Sequence, residues 1–233
     1  MSNNKTVLVT GSNKGIGFAI AQGLLNKGYR VIITSRSVEK GEQALAKLQE
    51  FGEVMMVELD VSDDRSIQQA FTTVQSKIDR LDVLVNNAGI YPDDGVDILT
   101  ISRELLESTF HTNTFGAIKT AQTFLPLLQK SDDARIVNFS SSYGQIDGLS
   151  SNVPSYCLSK LALNGATIML ADSLKSQGIA VNSICPGWVQ TDMGGSSAPR
   201  TPEQGADTAI WLATEASCQL TGNFWRDKQE IDY

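Results

Sequence analysis

Six short runs of aliphatic and β-branched residues punctuate the chain, at 5–10 (KTVLVT), 30–35 (RVIITS), 53–59 (EVMMVEL), 81–87 (LDVLVNN), 134–140 (ARIVNFS) and 179–185 (IAVNSIC). They are nearly continuous in apolar character instead of alternating with a period of two. Strands of a parallel sheet covered on both faces read this way, because neither side of such a strand meets water. Between the runs the apolar positions recur at helical spacing, which predicts helices over 15–28, 37–50, 63–80, 102–130, 155–177 and 202–216. The first of these, GFAIAQGLLNKG, ends on Gly28, a residue suited to closing a helix in the left-handed conformation. A last short strand is expected at 222–227 (GNFWRD). No linker, repeat or low-complexity tract breaks the alternation. The pattern therefore predicts one α/β domain over residues 1–233, a doubly wound parallel sheet with right-handed crossovers and helices on both faces.

Charge and composition narrow the function. A net charge of −7 leaves no general basic surface for nucleic acid or an anionic membrane, so any bound anion must be held by a local device. No apolar run approaches the roughly 18 residues of a membrane span, and MSNNKTVLVTG lacks a signal-peptide pattern. A cytoplasmic protein is expected. The three cysteines, Cys157, Cys185 and Cys218, are odd in number and not spaced as metal ligands. The single histidine, His111, excludes a multi-histidine metal site and weakens any Ser-His-Asp arrangement, so no metal is expected.

Sheets of this kind bind ligands beyond the carboxyl ends of their strands, and the distinctive motifs lie there. The first strand runs into TGSNKGIG, in which Gly11, Asn13, Lys14, Gly15, Ile16 and Gly17 would wrap a dinucleotide pyrophosphate at the N-terminus of the first helix. Sites for NAD place a carboxylate at the end of the second strand, whereas this chain has Thr34, Ser35 and Arg36. Arg36, with Lys14 as a second cation, would pair with a 2′-phosphate, so NADP(H) is expected in preference to NAD(H). Glu39 stands close enough in sequence to neutralise Arg36. Asp60 and Val61 end the third strand, where Asp60 would accept from the adenine amino group. Asn87, Ala88 and Gly89 of NNAG would let backbone lie close to the cofactor, while Asn86 would tie neighbouring strands.

In SYCLSK, Tyr156 and Lys160 leave one face of a helix a turn apart. Reducing a carbonyl places negative charge on oxygen that must be protonated as it develops. A free tyrosine titrates near about 10, and a cation one turn away would favour the phenolate and lower that value. IVNFSSSY offers Ser140, Ser141 and Ser142 as hydroxyls to orient the carbonyl, and Asn113 sits in a long helix that asparagine disfavours.

Taken in order, TGSNKGIG, NNAG, Asn113 in HTN, IVNFSS, Tyr156-x-x-x-Lys160 and PGWVQTDM resemble the short-chain dehydrogenase/reductase superfamily over nearly the whole chain. The resemblance implies a Rossmann-type sheet of about seven strands in the order 3-2-1-4-5-6-7. It implies a catalytic set of Asn113, Ser141, Tyr156 and Lys160, with Ser140 an alternate to Ser141. Asn113 would kink its helix and hold a water, and Lys160 would also bond the nicotinamide ribose. Pro186 and Gly187 would close the site, with Val189 and Thr191 against the carboxamide.

CPGWVQTDMGG and the ending TGNFWRDKQEIDY resemble carbonyl reductases within that superfamily. The resemblance implies a small-molecule carbonyl or alcohol substrate. Few residues separate Thr191 from the helix expected at 202, which implies a short lid and an open cleft. Some carbonyl reductases carry a long insertion between serine and tyrosine that covers a dimerisation surface; only 15 positions separate Ser141 from Tyr156 here. A homodimer or homotetramer packed through 102–130 and 155–177 is therefore expected. Acyl-carrier-protein esters, sugars and steroids remain alternative substrates, and a non-catalytic dinucleotide sensor is an alternative of another class.

Overall fold

The computed structural model describes residues 5–233. Strands β1 (Thr6–Val9), β2 (Arg30–Ser35), β3 (Val54–Glu58), β4 (Val83–Asn86), β5 (Arg135–Phe139), β6 (Ala180–Ile184), β7 (Phe224–Arg226) and β8 (Gln229–Ile231) form one sheet. Its order is β3-β2-β1-β4-β5-β6-β7-β8. All pairings are parallel except the last, β7 with β8. The expected seven-strand order is thus extended by an antiparallel edge strand. Asp227 and Lys228 adopt φ values of 52° and 61°, the left-handed pair that a tight hairpin turn demands. The polar run after Trp225 hides this hairpin from any apolar pattern.

Successive residues of each inner strand feed opposite cores, which is why the runs are continuously apolar. Val7, Val9, Val31, Ile33 and Val85 pack beneath α1 (Gly15–Asn26), α2 (Val38–Leu48) and α7 (Pro202–Thr214). Leu8, Ile32, Leu84, Ile136 and Val181 face the layer of α3 (Asp64–Gln75), α5 (Gly116–Leu128) and α6 (Pro154–Leu174). The helix expected over 102–130 is two helices, α4 (Arg103–Phe110) and α5, joined by a π turn at His111–Phe115. There the amide of Gly116 reaches back to the carbonyl of His111, inserting one residue into the helical ladder. Among the described residues no helix is long and apolar enough to cross a membrane.

Candidate active site

Helix α1 begins without a capping side chain: Lys14 stands at its cap position and makes no such bond. Its first amides are left open at the positive end of the helix, beside the end of β1. Gly17 is required here, since a Cβ would lie 2.5 Å from Asn87 Nδ2 and 2.6 Å from the Gly11 carbonyl. Asn87 donates through Nδ2 to the carbonyls of Thr10 and Gly11, so the NNAG asparagine buttresses the glycine loop. Ala88 lies directly against Gly11. Gly15 lies against Thr191, so the loops after β1 and β6 touch, with Asn13 and Lys14 on the rim. Lys14 is ion-paired with Asp192.

At the end of β2, Arg36 is exposed and forms no ion pair among the described residues. Glu39, its suspected neutraliser, instead accepts from Gln43. Uncapped helix amides, a glycine floor and a free arginine fit an anionic dinucleotide carrying a 2′-phosphate. Asp60 closes its own turn through Oδ1, which accepts from the Ser62 amide and hydroxyl at 2.9 and 2.6 Å. The Val61 carbonyl packs on Gly116. Val189 is buried, its side chain packed into α7 against Gly205 with Ile16 alongside. Pro186 and Gly187 are braced by Arg200, which donates to the Pro186 carbonyl and grips Asp227 through two bonds of 2.7 Å. Trp188 Nε1 bonds the Gly194 carbonyl and Gln190 the Ala198 carbonyl, so the short segment before α7 is tied into a set shape.

Across the cleft, Tyr156 and Lys160 are both buried, and the lysine Nζ lies 5.6 Å from the centre of the tyrosine ring. Nζ donates to the Phe139 carbonyl at 2.6 Å. The two tandem serines separate by role. Ser140 is buried and donates to the backbone carbonyl of Lys160, whereas Ser141, whose hydroxyl accepts from the Tyr143 amide, lies near enough to Tyr156 to favour its ionised form. Burial outweighs that help and pushes the Tyr156 phenol above its ordinary range. The lowering expected from Lys160 is not found; desolvation raises the phenol instead, a property of the fold that helical spacing does not report. Burial also pushes Lys160 down, to about 8.

Asn113 lies in the π turn, where its Oδ1 accepts from the Ile90 amide and its Nδ2 donates to the Ile90 carbonyl and to Ser159. The side chain clamps the strand exit after NNAG. Gly89 lets the same exit lie close, since a Cβ there would meet Asn113 Oδ1 at 3.3 Å and Lys160 Nζ at 3.5 Å. Asn86 ties β4 to β5 through Asn138 at 2.9 Å. His111 is exposed and packs edge-on to Phe115. Three site residues carry no local sequence signal. Tyr91 and Tyr143 both stand edge-on to Tyr156, at 4.8 and 6.2 Å between ring centres. Asp93 is wholly buried at the start of α6.

A sequence model of the short chain dehydrogenase family matches residues 5–201. Among curated proteins, short-chain dehydrogenase anuI of Penicillium roqueforti is 37% identical over 226 residues, spanning 91% of this chain and 89% of that protein. Carbonyl reductase [NADPH] 1 of Sus scrofa is 31% identical over 280 aligned positions, spanning 100% and 95%. Among solved structures, the NADPH-bound carbonyl reductase from chicken fatty liver superposes with a TM-score of 0.86 at 29% identity, covering 95% of both chains.

Proposed function

The chain belongs to the short-chain dehydrogenase family of oxidoreductases, and from that premise we propose that it reduces ketone or aldehyde carbonyls with NADPH. The observation that carries this reading is the buried pair of Tyr156 and Lys160 with Ser141 beside the phenol. Open amides at the start of α1 and the free Arg36 support the choice of NADP(H). When bound, the reduced nicotinamide supplies the hydride.

Ser141 donates to the substrate oxygen and orients it. Tyr156, held in its protonated form by burial, gives its proton to that oxygen as negative charge develops. The Lys160 ammonium beside the ring stabilises the phenolate that results. Asn113 bonds the Ile90 amide and so fixes the exit of β4 beside Lys160. Tyr91 and Tyr143 give the pocket aromatic walls, which favours aromatic or other bulky carbonyl compounds.

The same reading carries self-association. Leu158, Ile168 and Met169 of α6 and Phe115 before α5 are exposed, giving an apolar face of the kind that pairs with its own copy. Sedimentation at micromolar concentration is expected to show a dimer or tetramer; a monomer would remove this part. Three unpaired cysteines suit the reducing cytoplasm.

The deciding experiment follows nicotinamide absorbance with NADPH or NADH over aromatic aldehydes, quinones, diketones and a 3-oxoacyl ester, with Tyr156→Phe in parallel. Turnover of several aromatic or dicarbonyl compounds, faster with NADPH and absent in the variant, is expected. Turnover of the 3-oxoacyl ester alone would assign the protein to carrier-bound acyl substrates, and tight cofactor binding without turnover would favour a sensor.

A further inference from the structure

Helix α6, which carries Tyr156, starts without a cap of its own. Val153 at the cap position has no side-chain bond to offer, and Pro154 at the first position has no N–H. The first amides in need of partners are those of Ser155 and Tyr156. Both donate to a single oxygen, Oδ2 of Asp93, at 2.6 and 3.2 Å, from a residue 62 positions before Ser155. Asp93 is 0% exposed. Its other oxygen, Oδ1, is buried with no partner among the described residues.

Capping alone does not require this arrangement. A serine or threonine in place of Val153 would satisfy the same amides without burying a half-partnered carboxylate. The difference is that Asp93 belongs to the loop following NNAG. That loop also carries Tyr91, whose ring stands 4.8 Å from that of Tyr156. One segment therefore grips the tyrosine at both ends, the backbone through Asp93 and the ring through Tyr91. Its root at Gly89 and Ile90 rests on Asn113, which bonds the Ile90 amide at 2.8 Å. We propose that Asp93 is a positioning residue of the reaction, fixing the backbone of Tyr156 so that the phenol stays in place against Ser141 and Lys160.

The inference rests on Tyr156 as the proton donor, and the test separates the two. Asp93→Asn removes the charge, and Asp93→Glu keeps it but shifts the grip by one methylene. Ser102→Ala removes an ordinary cap, the one that Ser102 provides to α4 through the Leu105 amide. With 9,10-phenanthrenequinone as probe, both Asp93 variants are expected to lose at least about tenfold in kcat. Their dissociation constants for NADPH, read by fluorescence, are expected to stay within about twofold of the wild type, and Ser102→Ala is expected to lose melting temperature but keep kcat. Amide hydrogen exchange needs no turnover. The peptide 153–159 is expected to exchange at least about tenfold faster in Asp93→Asn while 163–174 holds. Unchanged exchange at 153–159, or an unchanged kcat in both Asp93 variants, would overturn the proposal. So would a kcat loss in Ser102→Ala in proportion to its melting temperature. If Tyr156→Phe keeps its activity, the functional reading fails instead, and the exchange result still judges the grip.

Discussion

The ammonium of Lys160 donates to the backbone carbonyl of Phe139 at 2.6 Å, anchoring a charged side chain that is 4% exposed to the end of β5. One carbonyl does not replace the hydration of an ammonium, so burial lowers the Lys160 value from 10.5 to about 8. Below pH 8 the residue is charged in both folded and unfolded chains and its desolvation cost is fully present. Between pH 8 and 10.5 the unfolded chain binds more protons, so this residue's contribution to stability rises with pH through that window. The gap corresponds to about 3 kcal/mol. Lys160→Met is therefore expected to be inactive but more stable than the wild type at neutral pH, with an advantage that fades as pH approaches 10.5. Urea unfolding of both proteins across that range checks it; a gap that does not change with pH would refute the burial argument.

In the proposed reaction the same two groups would set the pH dependence of turnover. With the Tyr156 phenol raised by burial, the tyrosine is protonated at neutral pH and so available as the proposed donor. Carbonyl reduction is expected to be level near neutrality and to fall as pH passes about 8, where Lys160 loses its charge. Alcohol oxidation needs Tyr156 to accept a proton and is expected to rise into the alkaline range. Profiles of kcat/KM in both directions decide this. Reduction that keeps accelerating above pH 8 would mean that Lys160 does not support the tyrosine.

What was legible in the sequence was local. The strands β1 to β6, the glycine loop and the Tyr156–Lys160 spacing each lie within a few residues and need no knowledge of the rest of the chain. The β8 hairpin escaped because two non-glycine residues, Asp227 and Lys228, adopt left-handed conformations in a polar run. The π turn escaped because apolar spacing continues through it, and only Asn113 marked the place. Asp93 and Asp192 reach their partners across 62 and 178 positions. The sign of the Tyr156 shift failed for a related reason: its neighbouring charge is local, whereas its burial is made by Tyr91, Tyr143 and the loops that the fold brings over it.

Arg36 is exposed, with no carboxylate bound to it among the described residues, so its guanidinium is free for a phosphate. Arg36→Ala is expected to raise KM for NADPH about tenfold, an arginine–phosphate bond discounted for solvent exposure. KM for NADH should stay within about twofold, because the 2′-hydroxyl offers no charge to lose. Steady-state kinetics with both cofactors measure the contrast. Equal losses with NADPH and NADH would place Arg36 outside the 2′-phosphate site.

Lys14 was expected to serve the same phosphate, yet it is held by Asp192 across the seam between the loops after β1 and β6. Lys40 adds a second favourable charge to Asp192, so this carboxylate sits among the cations that an incoming phosphate would seek. It both occupies Lys14 and repels the ligand. Asp192→Asn is expected to tighten NADPH binding about three- to fivefold, the modest scale of an exposed pair, and to change NADH binding less. Raising the salt should erase the difference, since exposed charges are screened over about 10 Å at 0.1 M ionic strength. Fluorescence titrations with NADPH and NADH at low and high salt test this, with 2′,5′-ADP and 5′-AMP as probes lacking the nicotinamide. Weaker binding of NADPH and 2′,5′-ADP in the variant would give the pair the opposite role, a clasp that shapes the site.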